Sequence, residues 1–450
     1  MNPRICAAVM ASALLSSYAV ANEIEEVVIT SSLIDRTLSD LENPLHVVSG
    51  DDISATASQS LGESLDGLLG VSSADYGSGV GQPIIRGMSG SRVKILNNGM
   101  VVRDVAGIGA DHVNDVDLNN IQQIEIVRGP SSLLYSNGTI GGIINVVDNT
   151  IAREDFSDSE FKLGLETQSV NDGDSQNLSY QNNVGGLNLS FAYKDSQFGN
   201  FDVPTGAIVH EDEHEDEHED EHEGEHEGEH EEDLGFLSNS DFKNKALRFG
   251  ASKTGEWGYF GVSVNRVESI YGIPFHGDEH GDEHEGEEHE GEEHEGEEHE
   301  GEEHEGEEHD EHEGERIFST TDSEVVNVEG AFLLSNSWLK KVNYFLRDTD
   351  YSLTEQHAEE EHEGEEHEEH EEDEHEGGHH EEGPTRFANE SREYGAIFDV
   401  STDELLQKVS VNFVDEDMSI IGEEAFMNPT DSKEVTIGYY LSKEVNSFHL

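Results

Sequence analysis

Imidazoles and carboxylates alternate along three stretches of this chain, residues 210–232, 276–315 and 357–382. These hold 22 of its 25 histidines and 53 of its 102 acidic residues, and no Lys or Arg. In the first, His214, His218, His222 and His226 recur every fourth residue. In the second, His284, His289, His294, His299, His304 and His309 recur every fifth within Glu-Gly-Glu-Glu-His. The third is irregular, with His362 and His367, and ends near the pair His379-His380. Such composition cannot bury a core and stays solvated. The chemistry it offers is coordination of a divalent cation by imidazole and carboxylate. No single geometry is imposed, so sites form from loose combinations of about two to four ligands. Each must overcome the ordering entropy of a flexible chain, which makes single sites weak and their number important. Near pH 7 the imidazoles are neutral and ligate; below about pH 6 they protonate and release metal. The surrounding carboxylates move that release toward neutrality. His214 to His218 matches HExxH, but as a by-product of the repeat, with no apolar face to set a helix against a cleft, so a protease is excluded. The competing reading is an acidic screen with incidental His. Glu alone would serve that role, and the regular His spacing argues against it.

A second candidate is a single pair, Asp111-His112, after the Gly-rich run Ala106-Gly107-Ile108-Gly109. Read alone, it is equally a solvent-facing turn. No catalytic nucleophile constellation, phosphate loop or cofactor fingerprint occurs, so an enzyme is not expected and no permanently bound cofactor is predicted.

The formal net charge is −78 at pH 7. Setting aside the 53 tract acids leaves 49 acidic against 24 basic residues, or −25. Nucleic acid is excluded as a partner, because no basic patch exists to neutralise phosphates. Met1–Ala21 reads as a secretory signal: Arg4 in the charged region, an apolar run Ile5–Leu15 too short to span a bilayer, and a small-residue cleavage pattern Ala19-Val20-Ala21. The only cysteine, Cys6, falls inside it, so neither disulfides nor a thiolate zinc site is predicted. No other run is long and apolar enough for a transmembrane helix, which leaves a β-barrel as the route into a membrane.

Two regions must position these groups. Residues 41–150, after a 22–40 segment, read as a compact α+β domain. A short helix is predicted over Leu61–Leu69, and strands over Val93–Leu96 and Ile121–Val127. From 160 to 450 the pattern is period two, as in Phe161, Leu163, Leu165 and in Leu187, Leu189, Phe191, Tyr193. Ten strands are predicted, at 160–169, 176–184, 187–195, 245–253, 256–268, 324–334, 337–352, 388–400, 405–414 and 433–441. Gly185-Gly186, Thr254-Gly255, Ser335–Ser337 and Thr402–Glu404 are short connections; the alternating others are read as long, and three contain the His tracts. Short turns on one side and long loops on the other are the outer-membrane barrel pattern, with the tracts extracellular. Trp257, Tyr259, Trp338, Tyr344 and Tyr351 are assigned to interfacial girdles. The predicted fold class is an all-β transmembrane barrel plugged by an N-terminal α+β domain. Ten strands leave open edges that lipid does not tolerate, so the chain is expected to be a fragment.

Three motifs carry a family resemblance: Pro83-Ile84-Ile85-Arg86-Gly87, Ile124-Glu125-Ile126-Val127-Arg128-Gly129-Pro130, and Leu134–Val146 with its Gly138-Thr139-Ile140-Gly141-Gly142 centre. In this order they resemble the plug of TonB-dependent outer-membrane receptors, and the His/Glu-rich loops resemble zinc-uptake receptors of the ZnuD type. The resemblance implies a barrel of about 22 strands around the plug. It implies a TonB box at Glu26, Val27, Val28, Ile29 and Thr30, offering a strand to TonB and its energising complex. It implies plug–barrel ion pairs for Arg86 and Arg128, and a zinc site at Asp111 and His112 completed by barrel residues. The expected function is TonB-dependent import of Zn²⁺ as a transported ligand, with outer-membrane lipid and divalent ions as the other partners. Receptors for copper, nickel, a siderophore or haem remain open, as does a surface metal-binding protein without transport.

Overall fold

The computed structural model describes residues 28–29, 36–37, 45–56, 58–128, 140–204, 235–274, 317–334, 338–357, 383–402, 404–422, 425–445 and 448–449. The signal segment, Glu26, Val27, Thr30 and every tract histidine named above lie outside them. Of the TonB-box residues, Val28–Ile29 form a short strand, β1, paired antiparallel with β2 (Arg36–Thr37).

The plug begins with β3 (Leu45–Ser49) and two short helices, α1 (Gly50–Thr56) and α2 (Leu61–Leu65). Sequence periodicity missed α1 and overran α2. Ser60 caps α2 by accepting from the Glu63 amide, while the Glu63 carboxylate accepts from the Gln59 amide at 3.1 Å. Gly67 at φ +84° and Gly70 at φ +74° then turn the chain away, and Leu69 is left 84% exposed. Next come β4 (Val71–Tyr76), β5 (Val80–Ile85), β6 (Val93–Asn97), β7 (Met100–Val101), β8 (Ile121–Val127) and β9 (Gly142–Asp148). One plug sheet runs β3-β8-β9-β6-β7, with β6 and β9 parallel; β4 and β5 form a separate hairpin. Leu61, Leu65, Ile85, Ile124, Ile126 and Ile144 are the centre of its core. Cutting one such side chain to Ala costs about 2–5 kcal/mol.

All ten barrel strands are present: β10 (Glu160–Gln168), β11 (Gly173–Val184), β12 (Leu187–Phe198), then β15 (Phe242–Gly255), β16 (Gly258–Gly272), β17 (Ile317–Leu333), β18 (Lys341–His357), β19 (Thr385–Asp399), β20 (Leu406–Ile421) and β21 (Thr430–Ser442). The small pairs β13 (Phe201–Asp202) with β14 (Phe236–Leu237), and β22 (Glu444–Val445) with β23 (Phe448–His449), lie off this sheet. Its order follows the sequence from β10 to β21, every neighbour is antiparallel, and among the described residues the two end strands do not pair with each other. The barrel is therefore partial, not closed.

Outward positions carry the apolar residues: Phe161, Leu163, Leu165, Phe249, Val262, Val435 and Ile437 are exposed. Inward positions carry Ser190, Lys194, Arg248, Ser263 and Arg347, buried against the plug. The three connections holding the tracts leave from the same end of the sheet, and the turns at 185–186, 256–257, 334–340 and 400–405 lie at the other. Two connections at the tract end are shorter than predicted: β10 and β11 are joined by only residues 169–172, and β20 and β21 by only 422–429. Several strands also extend further toward that end than predicted, β17 beginning at Ile317 and β18 reaching His357. Part of the β17 extension, Ser319 to Ser323, is polar on both faces, so alternating hydropathy gave no signal there. Trp257, Phe332 and Tyr344 stack near the short-turn end, with centroids 5.8 and 5.4 Å apart, as a girdle should. Tyr351 is 1% exposed and faces the plug, and the Tyr259 hydroxyl reaches Glu329, so neither belongs to a girdle.

Candidate metal centre

The loop between β7 and β8 is fixed before any ligand is considered. Gln82, buried on β5, donates from one amide nitrogen to the carbonyls of Ala106 (2.7 Å), Gly109 (2.6 Å) and His112 (3.1 Å). The Asp104 carboxylate accepts from the amides of Ala106 and Asp115. From the barrel, the Tyr271 hydroxyl accepts from the Val113 amide at 3.3 Å. Pinned on both sides, the loop turns Asp111 and His112 toward β18.

There they meet Glu355. The ligand atoms of Asp111, His112 and Glu355 all lie within 4.8 Å of one another. His112 Nε2 is 3.8 Å from Glu355 Oε2. Ligands on a tetrahedral zinc with bonds of about 2.0–2.1 Å stand roughly 3.4 Å apart, so a small inward movement suffices. His112 Nδ1 lies 3.1 Å from the Val105 carbonyl, to which it donates as N–H, leaving the Nε2 lone pair for a metal. Phe387 closes one side, edge-on to the imidazole at 4.9 Å. Burial opposes charge on His112, but Glu355, Asp111 and the Val105 carbonyl outweigh it and hold its pKa above the ordinary value. A cation bound at Nε2 would have to replace that proton.

Gly109 is required by proximity. A Cβ there would stand 2.6 Å from Asp111 Oδ1 and 3.0 Å from the His112 ring. Gly109→Ala should weaken metal binding about 10–100-fold, the scale of disturbing support around a ligand. A chelator competition titration measures it; unchanged affinity would show that the pair does not ligate.

The sequence pair Asp111-His112 is thus brought together with a barrel carboxylate that sequence reading had not named. Arg86 and Arg128 do not act as expected. Neither makes an ion pair among the described residues, and Nε and Nη2 of Arg128 are buried without a partner. Plug–barrel ion pairs come instead from Arg248 with Asp117 and Asp148, Arg103 with Glu393 and Glu416, and Arg153 with Glu329. In each of these the partners are at least a hundred residues apart, so no local motif announces them.

Residues 37–143 match the TonB-dependent receptor plug domain. The vitamin B12 transporter BtuB of Vibrio cholerae is 33% identical over 155 residues, 33% of this chain and 25% of that protein. BtuB of Vibrio vulnificus is 27% identical over 210 residues, 45% of this chain and 34% of that protein. Among solved structures, the copper transporter OprC superposes with a TM-score of 0.56 at 14% identity, covering 89% of this chain and 52% of OprC. The Serratia marcescens hemophore receptor HasR gives 0.61 at 10% identity, covering 91% and 50%. This chain therefore spans about a quarter to a third of these curated relatives and about half of these solved chains. Residues 37–143 therefore carry a TonB-dependent receptor plug domain, and ten antiparallel strands of a partial β-barrel follow it.

Proposed function

We propose that this receptor imports zinc across the outer membrane, driven by TonB, and that its His/Glu tracts gather the ion above a specific site at Asp111, His112 and Glu355. The carrying observation is the triad itself, with His112 and Glu355 buried and Asp111 half-buried, Nδ1 of His112 committed to Val105 and Nε2 left facing two carboxylates. Imidazole plus carboxylate without thiolate suits a borderline divalent ion. The tracts would load quickly and weakly, and pass the ion to the ordered set.

The triad also suggests how release follows from force. Two ligands sit on the plug and one on the barrel, so any displacement of the plug splits the ligand set. TonB would pull through residues 26–30, of which Val28–Ile29 already lie in an extended strand. Ile29→Pro removes an amide donor and should abolish uptake while leaving metal binding unchanged; radiolabelled zinc uptake beside equilibrium binding separates the two, and full uptake would rule out strand pairing at this segment.

A corrinoid, as the names of the BtuB relatives would suggest, gains nothing specific from an Asp-His-Glu set whose ligand atoms lie within 4.8 Å of one another. The deciding measurement is metal accumulation in cells with and without the gene under zinc chelation. Unaffected zinc levels with falling copper or nickel uptake would overturn the zinc reading.

A further inference from the structure

Below the triad, toward the short-turn end, the plug and barrel enclose a cavity of about 20 Å³ lined by Asn114, Asp115, Asn244 and Tyr351 among others. That is room for one water molecule or one bare ion. Three of its side-chain oxygens are buried and unpartnered: Asn114 Oδ1, Asn244 Oδ1 and the Tyr351 hydroxyl. Tyr351 is 1% exposed and fully enclosed. Unmade hydrogen bonds at this depth are costly, and three residues that carry them line one small space, which calls for an occupant.

The fourth group gives the occupant a sign. Asp115 accepts a hydrogen bond from Ser323 on Oδ2 at 2.5 Å, and its own amide donates to the Asp104 carboxylate at 2.9 Å. Among the described residues neither aspartate makes an ion pair. Arg347, whose positive charge acts on Asp115, is committed to Asn327 Oδ1, Asn97 and the carbonyls of Met100 and Val101. Burial above all, and then Asp104, push the Asp115 carboxyl up to about 7; Asp104 itself is pushed up to about 6, chiefly by burial. Both carboxyls are thus buried without an ion-pair partner among the described residues, where a cation would favour the charged form.

We propose that Asp115, Tyr351, Asn114 and Asn244 form a second, all-oxygen divalent-cation site, a relay that takes the ion after it leaves Asp111, His112 and Glu355. The register supports the order. Ser319 pairs with Glu355, and Ser323 pairs with Tyr351, four residues nearer the short-turn end. Four strand residues span roughly 13 Å, a short step for an ion released by plug movement. An oxygen-only set holds zinc less tightly than one with imidazole, which suits transit.

This inference rests on the import reading, so the test separates them. Crystals of the whole chain soaked in zinc chloride are measured at the zinc absorption edge. Wild type should show density at both sites, Tyr351→Phe and Asp115→Asn at the triad alone, and His112→Ala at the lower site with the triad weakened. Zinc at the wild-type triad but not at the Asp115 cavity overturns the relay only. Zinc at neither overturns both readings. In cells with equal receptor levels, Tyr351→Phe should lower maximal zinc uptake at least about tenfold with KM unchanged, whereas His112→Ala should raise KM. Maximal uptake within twofold of wild type for both Tyr351→Phe and Asp115→Asn would also overturn the relay.

Discussion

His112→Ala and Glu355→Ala should each lower zinc affinity about 100-fold at free zinc buffered low enough to leave the tracts empty. Four-ligand zinc sites bind with apparent energies of about 10–16 kcal/mol, or roughly 3 kcal/mol per ligand, which is the source of that factor. The two substitutions should not add simply, because the ligands share one ion. Glu355→Gln is the sharper variant. It keeps size and reach but removes the carboxylate charge that stands 3.8 Å from His112 Nε2. Protons should compete with the metal. The His112 pKa lies above the ordinary value, so affinity declines as pH falls through that raised pKa, starting nearer neutrality than for a free imidazole. Without metal the sign is opposite for stability: the protonated His112–Glu355 pair stabilises the site below the unfolded pKa, and that contribution is lost as pH rises through the folded one. Unchanged affinity in both alanine variants at low free zinc would remove this triad from any account of metal recognition.

How much of this was legible in the sequence depends on what each residue answers to. Apolar alternation reports a lipid face, so Leu187 to Tyr193 and Val409 to Phe413 were readable as strands. It goes silent where the strand rises past lipid. Glu355 lies there, three residues past the predicted end of its strand at 352, on the inward phase shared by Arg347, Thr349, Tyr351 and Leu353. Extending the period-two count would have placed it inward, yet only the fold sets it beside a loop some 240 residues earlier. Asp111-His112 was visible as a pair, but its placement rests on Gln82, Val105 and Gly109, whose parts are packing and backbone contacts. Arg86 and Arg128 show the reverse failure. Their motifs mark the plug well, but a motif records which residues recur, not which partner each meets.

Arg248→Met should destabilise the seated plug by about 3–5 kcal/mol, the cost of leaving buried charge without its partner. Arg248 donates to Asp117 Oδ2 at 2.6 Å and to Asp148 Oδ2 at 3.2 Å, and its side chain and both carboxylates are at most 6% exposed. It also reaches the Asn119 carbonyl, so one barrel side chain grips the ligand loop and the end of β9 together. The other clamps are wetter: Arg103 is 16% and Arg153 40% exposed, and each should matter less. Acid titration distinguishes the buried grip from general packing. Burial alone would raise the Asp148 pKa, but Arg248 prevails and holds it down to about 2. A depressed carboxylate contributes stability above its unfolded pKa of about 4 and loses it as pH falls toward the folded value. Wild-type plug melting in detergent should therefore drop between about pH 4 and pH 2, and Arg248→Met should lose most of that dependence. Asp117→Asn with Asp148→Asn, added to Arg248→Met, should recover much of the lost stability by removing the stranded charges. Equal melting of Arg248→Met and wild type at neutral pH would mean the plug is held elsewhere. If the grip is confirmed, it bears on import directly: Asp117 shares its loop with His112, so a pull that leaves Arg248 bound moves the plug around the metal ligands, while one that frees it carries Asp111 and His112 away from Glu355.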